Sequence, residues 1–363
     1  MKHTPLTRPQ YIHQQKKIHA RKLFGVFPAQ YPREIFWAMN ALPVEIWDPP
    51  LEVKHANAHL QPYICSVVRL GLELILQGKT GMLDGFLFPH TCDSIQNLAS
   101  IVNDYLSLDK PCYFFYHPKA PYNESSRRYY YRQLGHLTAQ LEKQLGPMDR
   151  SELKRRVGQG RQVGALFRRL YELRAKGELH ISNAEFYQMI RRCEYLHPDD
   201  LIDELETFLA TKKGVANGEP AVILSGVLPN PAEILGHLDH LGVRVANDDL
   251  LNGSRRLLVS PGDDDDPFEA LTNGYFSMPP CTTKNSPVEE RADYLLDMIE
   301  KSSARGVIFS IVKFCEPELF DVPQLLLELK KIKIPTLVLD VELHQGLSGQ
   351  TATRVEAFVE MIG

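Results

Sequence analysis

Cys65, Cys92 and Cys315 are the residues of this chain whose type and placement point most directly to chemistry. Each falls where a strand or loop pattern gives way to the first turn of a helix. Helix N-termini present unpaired N–H groups and the positive end of the macrodipole to whatever the thiolates hold. Thiolates are soft ligands, so three of them from separate elements can cap one metal centre. In Pro62-Tyr63-Ile64-Cys65 the proline marks a helix start, with Cys65 in the opening turn. Phe86-Leu87-Phe88 is an apolar strand ending at Pro89, and helix resumes near Asp93, just after Cys92. Val307 to Ser310 reads as another strand, followed by Phe314-Cys315-Glu316-Pro317 and a helix carrying Leu325, Leu326, Leu327 and Leu329. Spacing alone leaves two readings open, a shared metal centre or three core thiols, because no CxxC pair marks a site. Structural zinc normally takes four ligands, often in close pairs, and no such pair exists here. Cys112, in an aromatic strand, and Cys193, after two arginines in a helix, read as packed thiols. Cys281, on a loop, can reach a site as an extra ligand.

The elements that must position these thiols form two strand-helix blocks around a helical stretch. In the first block Lys22 to Phe27 and Val44 to Trp47 read as strands with a short helix from Pro32 to Asn40 between them. The apolar helix after Cys65, the strand Gly85 to Phe88, the Cys92 helix to about Tyr105 and the strand Cys112 to Tyr116 complete it. From Tyr129 to Gly214 the apolar spacing is helical throughout, as in Leu134, Leu137, Leu141 and Leu145. The second block runs through Ala221 to Ser225, a helix from Pro231 to Leu241, Val243 to Asp249, a helix from Pro287 to Ser303, the strand ending at Ser310, the Cys315 helix, Pro335 to Asp340, and a closing helix from Thr353 to Ile362. The expected fold class is α/β: two doubly wound, mainly parallel-sheet domains with an intervening helical segment. The expected divisions are residues 1–128, 129–215 and 216–363. Sites in doubly wound sheets form beyond the carboxyl ends of the strands. Cys92 and Cys315 both lie there, one in each block, so a shared centre would sit between the domains.

Composition narrows the function. The chain has 363 residues, 44% of them hydrophobic, enough for about two cores, and its net charge of -4 gives no reason to expect nucleic acid. No apolar run is long enough for a membrane span, and the start, Met1-Lys2-His3-Thr4-Pro5, has no apolar stretch behind it, so the expected compartment is the cytoplasm. Six cysteines are too sparse for a disulfide framework. Gly158-Gln159-Gly160 with Gly164 imitates a dinucleotide loop but lacks a preceding strand. Asp263 to Asp266 are adjacent carboxylates expected to repel into solvent, and Lys154-Arg155-Arg156 and Arg168-Arg169 read as a solvated face, with coenzyme A phosphates as the other possible contact. No Walker loop, Gly-x-Ser-x-Gly elbow or His-Glu-x-x-His is present.

Three stretches together carry a resemblance: Pro62-Tyr63-Ile64-Cys65; Gly85 through Phe88-Pro89-His90-Thr91-Cys92-Asp93 to Leu98; and Gly306-Val307-Ile308 through Lys313-Phe314-Cys315-Glu316-Pro317. They resemble the three cluster motifs of the 2-hydroxyacyl-CoA dehydratase and benzoyl-CoA reductase D-component family. The ending Ile334 to Asp340 with Thr353 to Phe358 is similar to that family's closing strand and helix.

The resemblance implies a 4Fe-4S cluster on Cys65, Cys92 and Cys315, with one iron lacking a cysteine. It implies a homologous partner subunit, an acyl-CoA substrate and a separate ATP-hydrolysing iron-sulfur activator as the electron source, with no nucleic acid and no membrane. One electron placed in the thioester carbonyl gives a ketyl radical, from which a poorly activated hydroxyl leaves or an aromatic ring is reduced. Within the family it resembles, the chain has the length of the smaller subunits, which implies the electron-relay or supporting half of a heterodimer. His90 can donate to substrate or a cluster ligand, and Lys313 can balance cluster charge or meet coenzyme A; hydrogen bonding within the loop and a surface position are their plainer readings. A double-cubane branch requires more cysteines, for which Cys281 is the one plausible addition, and a non-catalytic interaction subunit is the competing class.

Overall fold

The structure, a computed structural model, describes residues 6–106, 108–215, 218–229 and 232–363. Met1 to Pro5, position 216 and the expected helix start at Pro231 lie outside the described residues. Among the described residues eight strands form two sheets: β1 (Lys22–Val26), β2 (Ala41–Glu45), β3 (Gly85–Pro89), β4 (Cys112–Phe115), β5 (Ala221–Gly226), β6 (Arg244–Leu250), β7 (Gly306–Val312) and β8 (Thr336–Val341). The orders are β2-β1-β3-β4 and β6-β5-β7-β8, and every pairing is parallel. The same winding thus occurs twice, as expected of two doubly wound α/β units.

Parallel sheets covered on both faces are built from near-continuous apolar strands. Accordingly β2, β3, β5 and β7 are buried at every position. In each sheet the chain winds first to one side and then to the other, so the switch points fall between β1 and β3 and between β5 and β7. At the second, Gly226 has φ +147 and its missing Cβ would stand 2.2 Å from the Ser310 carbonyl oxygen. Only glycine permits that approach.

Helices Glu124–Leu145, Arg150–Lys176, Asn183–Arg191 and Pro198–Thr211 follow the first sheet. The helical stretch therefore begins a little before Tyr129. Arg150–Lys176 packs on Arg33–Ala38, on Pro198–Thr211 and on β6. Gly158, Gly160 and Gly164 lie inside it; a Cβ on Gly160 would stand 2.4 Å from the Glu34 carboxylate, and one on Gly164 2.7 Å from the Ser260 Cβ. Gly160 and Gly164 thus serve close packing. Asp263 and Asp265 of the aspartate run turn into solvent as expected, where the basic helix faces them: Asp263 pairs with Arg161 at 3.1 Å and Asp265 with Lys154 at 2.8 Å. Asp266 caps helix Pro267–Phe276 and meets Arg150 at 3.2 Å. Arg168 is likewise engaged, with Leu258 and Ser260.

Side chains lock the two sheets together. Arg69 pairs with Glu342 at 2.7 Å, Arg256 with Glu45 at 2.6 Å, and Gln30 donates to the Thr283 hydroxyl at 2.9 Å. One hydrophobic core runs through both units, from Leu42 and Phe86 to Leu224 and Ile308. Among the described residues no helix is long and apolar enough to cross a membrane.

Candidate metal centre

Cys65, Cys92 and Cys315 each occupy the N-cap of a helix: Ser66–Leu76, Asp93–Ser100 and Glu316–Lys331. Pro62 lies ahead of its helix rather than at its first position, because the chain turns once more before Ser66. The three thiols border one apolar cavity together with Pro28, Trp47, Thr91, Val227, Leu251, Thr283, Val312 and Glu318. Most of these residues end a strand or follow one directly: Pro28 after β1, Trp47 after β2, Thr91 and Cys92 after β3, Val227 after β5, Leu251 after β6, and Val312 and Cys315 at the end of β7. The two sheets thus turn their carboxyl ends toward one another, and the cavity lies where their switch points meet. Cys92 and Cys315 occupy corresponding places in the two windings. Cys65 enters from the connection between β2 and β3.

All six cysteines are free. Burial, with the neighbouring Cys92 charge, pushes the Cys65 thiol up to about 12; the N–H groups of Val67 and Val68 offset only part of that. Burial also raises Cys92 and Cys315, the latter further because Cys65, Glu318 and Cys92 face it with negative charge. Burial and mutual repulsion thus favour the neutral thiols, and a cationic group between them would favour the thiolates. Among the described residues, no three His, Cys, Asp or Glu side chains are grouped to hold a single metal ion. A cluster asks for something different, since each thiolate binds its own iron around a larger core. Three sulfur donors around one cavity, backed by helix N-termini, fit such a group.

Lys119 adjoins this wall. Its ammonium donates to the carbonyls of His90 at 2.9 Å, Thr91 at 3.2 Å and Thr283 at 2.5 Å. The Thr91 hydroxyl donates to the Pro28 carbonyl at 2.9 Å, fixing the loop that leads into Cys92. Behind Cys315, Glu318 accepts from Arg255 at 2.5 Å and from Arg291 at 3.3 Å, while Asp249 accepts from Arg255 at 2.6 Å. The Cys315 helix is thereby anchored through its first turn.

His90 and Lys313 do not line the cavity. The His90 ring lies 5.6 Å from that of Tyr116 and 4.0 Å from the Asp93 carboxylate, and burial with the Lys119 charge lowers its pKa. Lys313 is exposed, its ammonium 5.3 Å from the centre of the Phe314 ring. Cys281 is buried outside the cavity wall, 3.1 Å from the Thr283 hydroxyl and 3.8 Å from an Arg255 nitrogen. Cys112 is half-buried at the start of β4, and Cys193 is buried 3.4 Å from Arg256. Sequence reasoning missed Lys119, Thr283 and the Arg255 network. For Lys119 a signal existed, as it follows the carboxyl end of β4, where a doubly wound sheet builds its sites.

Paired doubly wound sheets, with three thiols gathered at their facing switch points, define a two-domain α/β protein. The chain belongs to the 2-hydroxyglutaryl-CoA dehydratase, D-component family, which it matches over residues 28–362. It is 23% identical over 362 residues to the beta subunit of the (R)-phenyllactyl-CoA dehydratase of Clostridium sporogenes, covering 97% of this chain and 95% of that one. It is 27% identical over 326 residues to a benzoyl-CoA reductase subunit of Thauera aromatica, covering 87% and 84%. To the beta subunit of the (R)-2-hydroxyglutaryl-CoA dehydratase of Acidaminococcus fermentans it is 24% identical over 361 residues, covering 95% and 94%.

Proposed function

We propose that this chain is the iron-sulfur subunit of an ATP-activated acyl-CoA dehydratase or reductase of the radical type, with a 4Fe-4S cluster held by Cys65, Cys92 and Cys315. The observation that carries the reading is the convergence of three N-capping thiols on one cavity between the two sheets. When bound, such a cluster supplies single-electron chemistry and one iron free of thiolate. The chain's own residues do the rest: three helix starts present N–H dipoles to the sulfurs, and Trp47, Val67, Val68, Ile95 and Val312 keep water from them. Cys281 lies off this cavity, which argues against a larger fused cluster.

The relatives are themselves subunits of dehydratases and of a reductase, so a homologous partner, an acyl-CoA thioester and a separate ATP-hydrolysing activator complete the proposed cytoplasmic system. Near the site, Tyr63 is 58% exposed, two residues before Cys65, and Phe320 is 81% exposed, five residues after Cys315. Large apolar side chains left in water this close to a redox centre suit a docked partner, through which an electron can pass.

Two outcomes test the proposal. The anaerobic chain alone is expected to be inactive and to support acyl-CoA dehydration or reduction only with partner, activator, ATP and reductant; turnover by the single chain with activator would contradict the relay role. Phe320→Glu is expected to weaken partner binding by about 2 kcal/mol, roughly 30-fold in Kd, as for loss of an aromatic anchor. Unchanged co-purification with the partner would move the interface elsewhere.

A further inference from the structure

We propose that Lys119 is a positioning residue of the thiol centre, fixing the loop that carries Cys92 and supplying positive charge beside the thiolates. The inference rests on the cluster reading above. An ammonium has three donors, and here all three go to main-chain carbonyls: His90 at 2.9 Å, Thr91 at 3.2 Å and Thr283 at 2.5 Å. Two of these acceptors immediately precede Cys92. The third belongs to the segment between Pro267–Phe276 and Val288–Ser302, which packs against the second sheet's site helix through the bond from the Thr282 hydroxyl to the Pro317 carbonyl at 2.7 Å. Lys119 therefore joins the Cys92 loop to the Cys315 side of the cavity, whose wall includes both Thr91 and Thr283.

Fixing carbonyls does not by itself require a cation. Lys119 is half-buried, and all the acceptors of its ammonium are neutral. Desolvating an ammonium among neutral partners is unfavourable unless negative charge forms nearby. The Cys92 thiolate, which faces Lys119 together with Cys281 and the Asp93 carboxylate, supplies that charge, and the helix N-terminus behind Cys92, worth roughly half an elementary charge, offsets only part of it. One electron delivered to the bound cluster adds a further negative charge, so a fixed cation at this wall stabilises the reduced state over the oxidised one.

The test uses Lys119→Gln and Lys119→Arg in the full chain, purified anaerobically, with iron and sulfide counted and the cluster titrated with dithionite as electron donor under EPR. Removing partners that hold metal ligands in place commonly costs ~10–100-fold in metal affinity. Lys119→Gln is expected to lose about half its iron or more, and the cluster it keeps should titrate at a more negative midpoint. Lys119→Arg, which keeps charge and donors, should recover most of the iron and move the midpoint back toward wild type. If Lys119→Gln holds too little iron to titrate, the Arg variant decides: recovery supports the charge role, and a loss as deep as that of Gln overturns it. Wild-type iron content and midpoint in Lys119→Gln would also overturn the proposal while leaving the cluster reading intact. Iron-free wild-type protein would overturn the cluster reading itself, and this inference with it.

Discussion

Serine in place of Cys65, Cys92 or Cys315 is expected to strip iron from anaerobically prepared protein, each lowering cluster content by about tenfold or more. The three sulfurs border one cavity, and none has a neighbouring cysteine on that wall to take its place. A serine hydroxyl keeps the shape but is a harder, far less acidic ligand, so it cannot replace a thiolate at iron. Cys112→Ser and Cys193→Ser should retain the iron, because Cys112 lies at the start of β4 and Cys193 beside Arg256, away from the cavity. Iron and sulfide analysis across the five variants checks the pattern. Equal iron in all five would mean that the convergence of thiols has no role in binding.

Arg255→Met is expected to destabilise the protein by about 3–5 kcal/mol, as when one partner is removed from a buried ion pair. Arg255 is fully buried and binds Asp249 through two nitrogens, at 2.6 and 2.8 Å, and Glu318 at 2.5 Å. Removing the guanidinium leaves two buried carboxylates with Arg291, which is already shared with Asp321 at 2.7 Å. Urea unfolding near neutral pH measures the loss; a change below about 1 kcal/mol, the range of exposed pairs, would show the network to be dispensable. The pH dependence has a definite sign. Although burial opposes ionisation, the two arginines hold Asp249 and Glu318 below their ordinary pKa values of 3.8 and 4.5. Their contribution is therefore fully present above about 4.5 and is lost as pH falls through the depressed native values. The variant should lose that part of the acid sensitivity.

Much of this architecture is legible in the sequence because parallel strands are short apolar runs and their helices carry a 3.6-residue rhythm. Phe86-Leu87-Phe88 and Val307 to Ser310 show it, and the cysteines beyond them follow from the winding rule. Other parts follow different physics. Helix Arg8–Lys17 is almost wholly polar, and long-range contacts hold it, such as the bond from Arg8 to Glu194 at 2.7 Å. Helix Pro267–Phe276 was readable, since Asp266 is a good cap and Pro267 a good first residue, but the aspartate run obscures the signal. The start of β2 at Ala41, earlier than Val44, is set by pairing with β1 rather than by propensity. The Arg255 network and the Lys119 bonds join residues from 6 to 164 positions apart, and no local pattern encodes such meetings.

The metal content of the unaltered protein tests the cluster assignment most directly. Anaerobic purification, followed by iron and acid-labile sulfide analysis and EPR of the dithionite-reduced sample, should give about four irons and four sulfides per chain with the signal of a single cubane. A chain that stays free of iron and sulfide under strict anaerobiosis, after reconstitution with ferrous iron and sulfide, would contradict the cluster assignment and leave Cys65, Cys92 and Cys315 as core thiols.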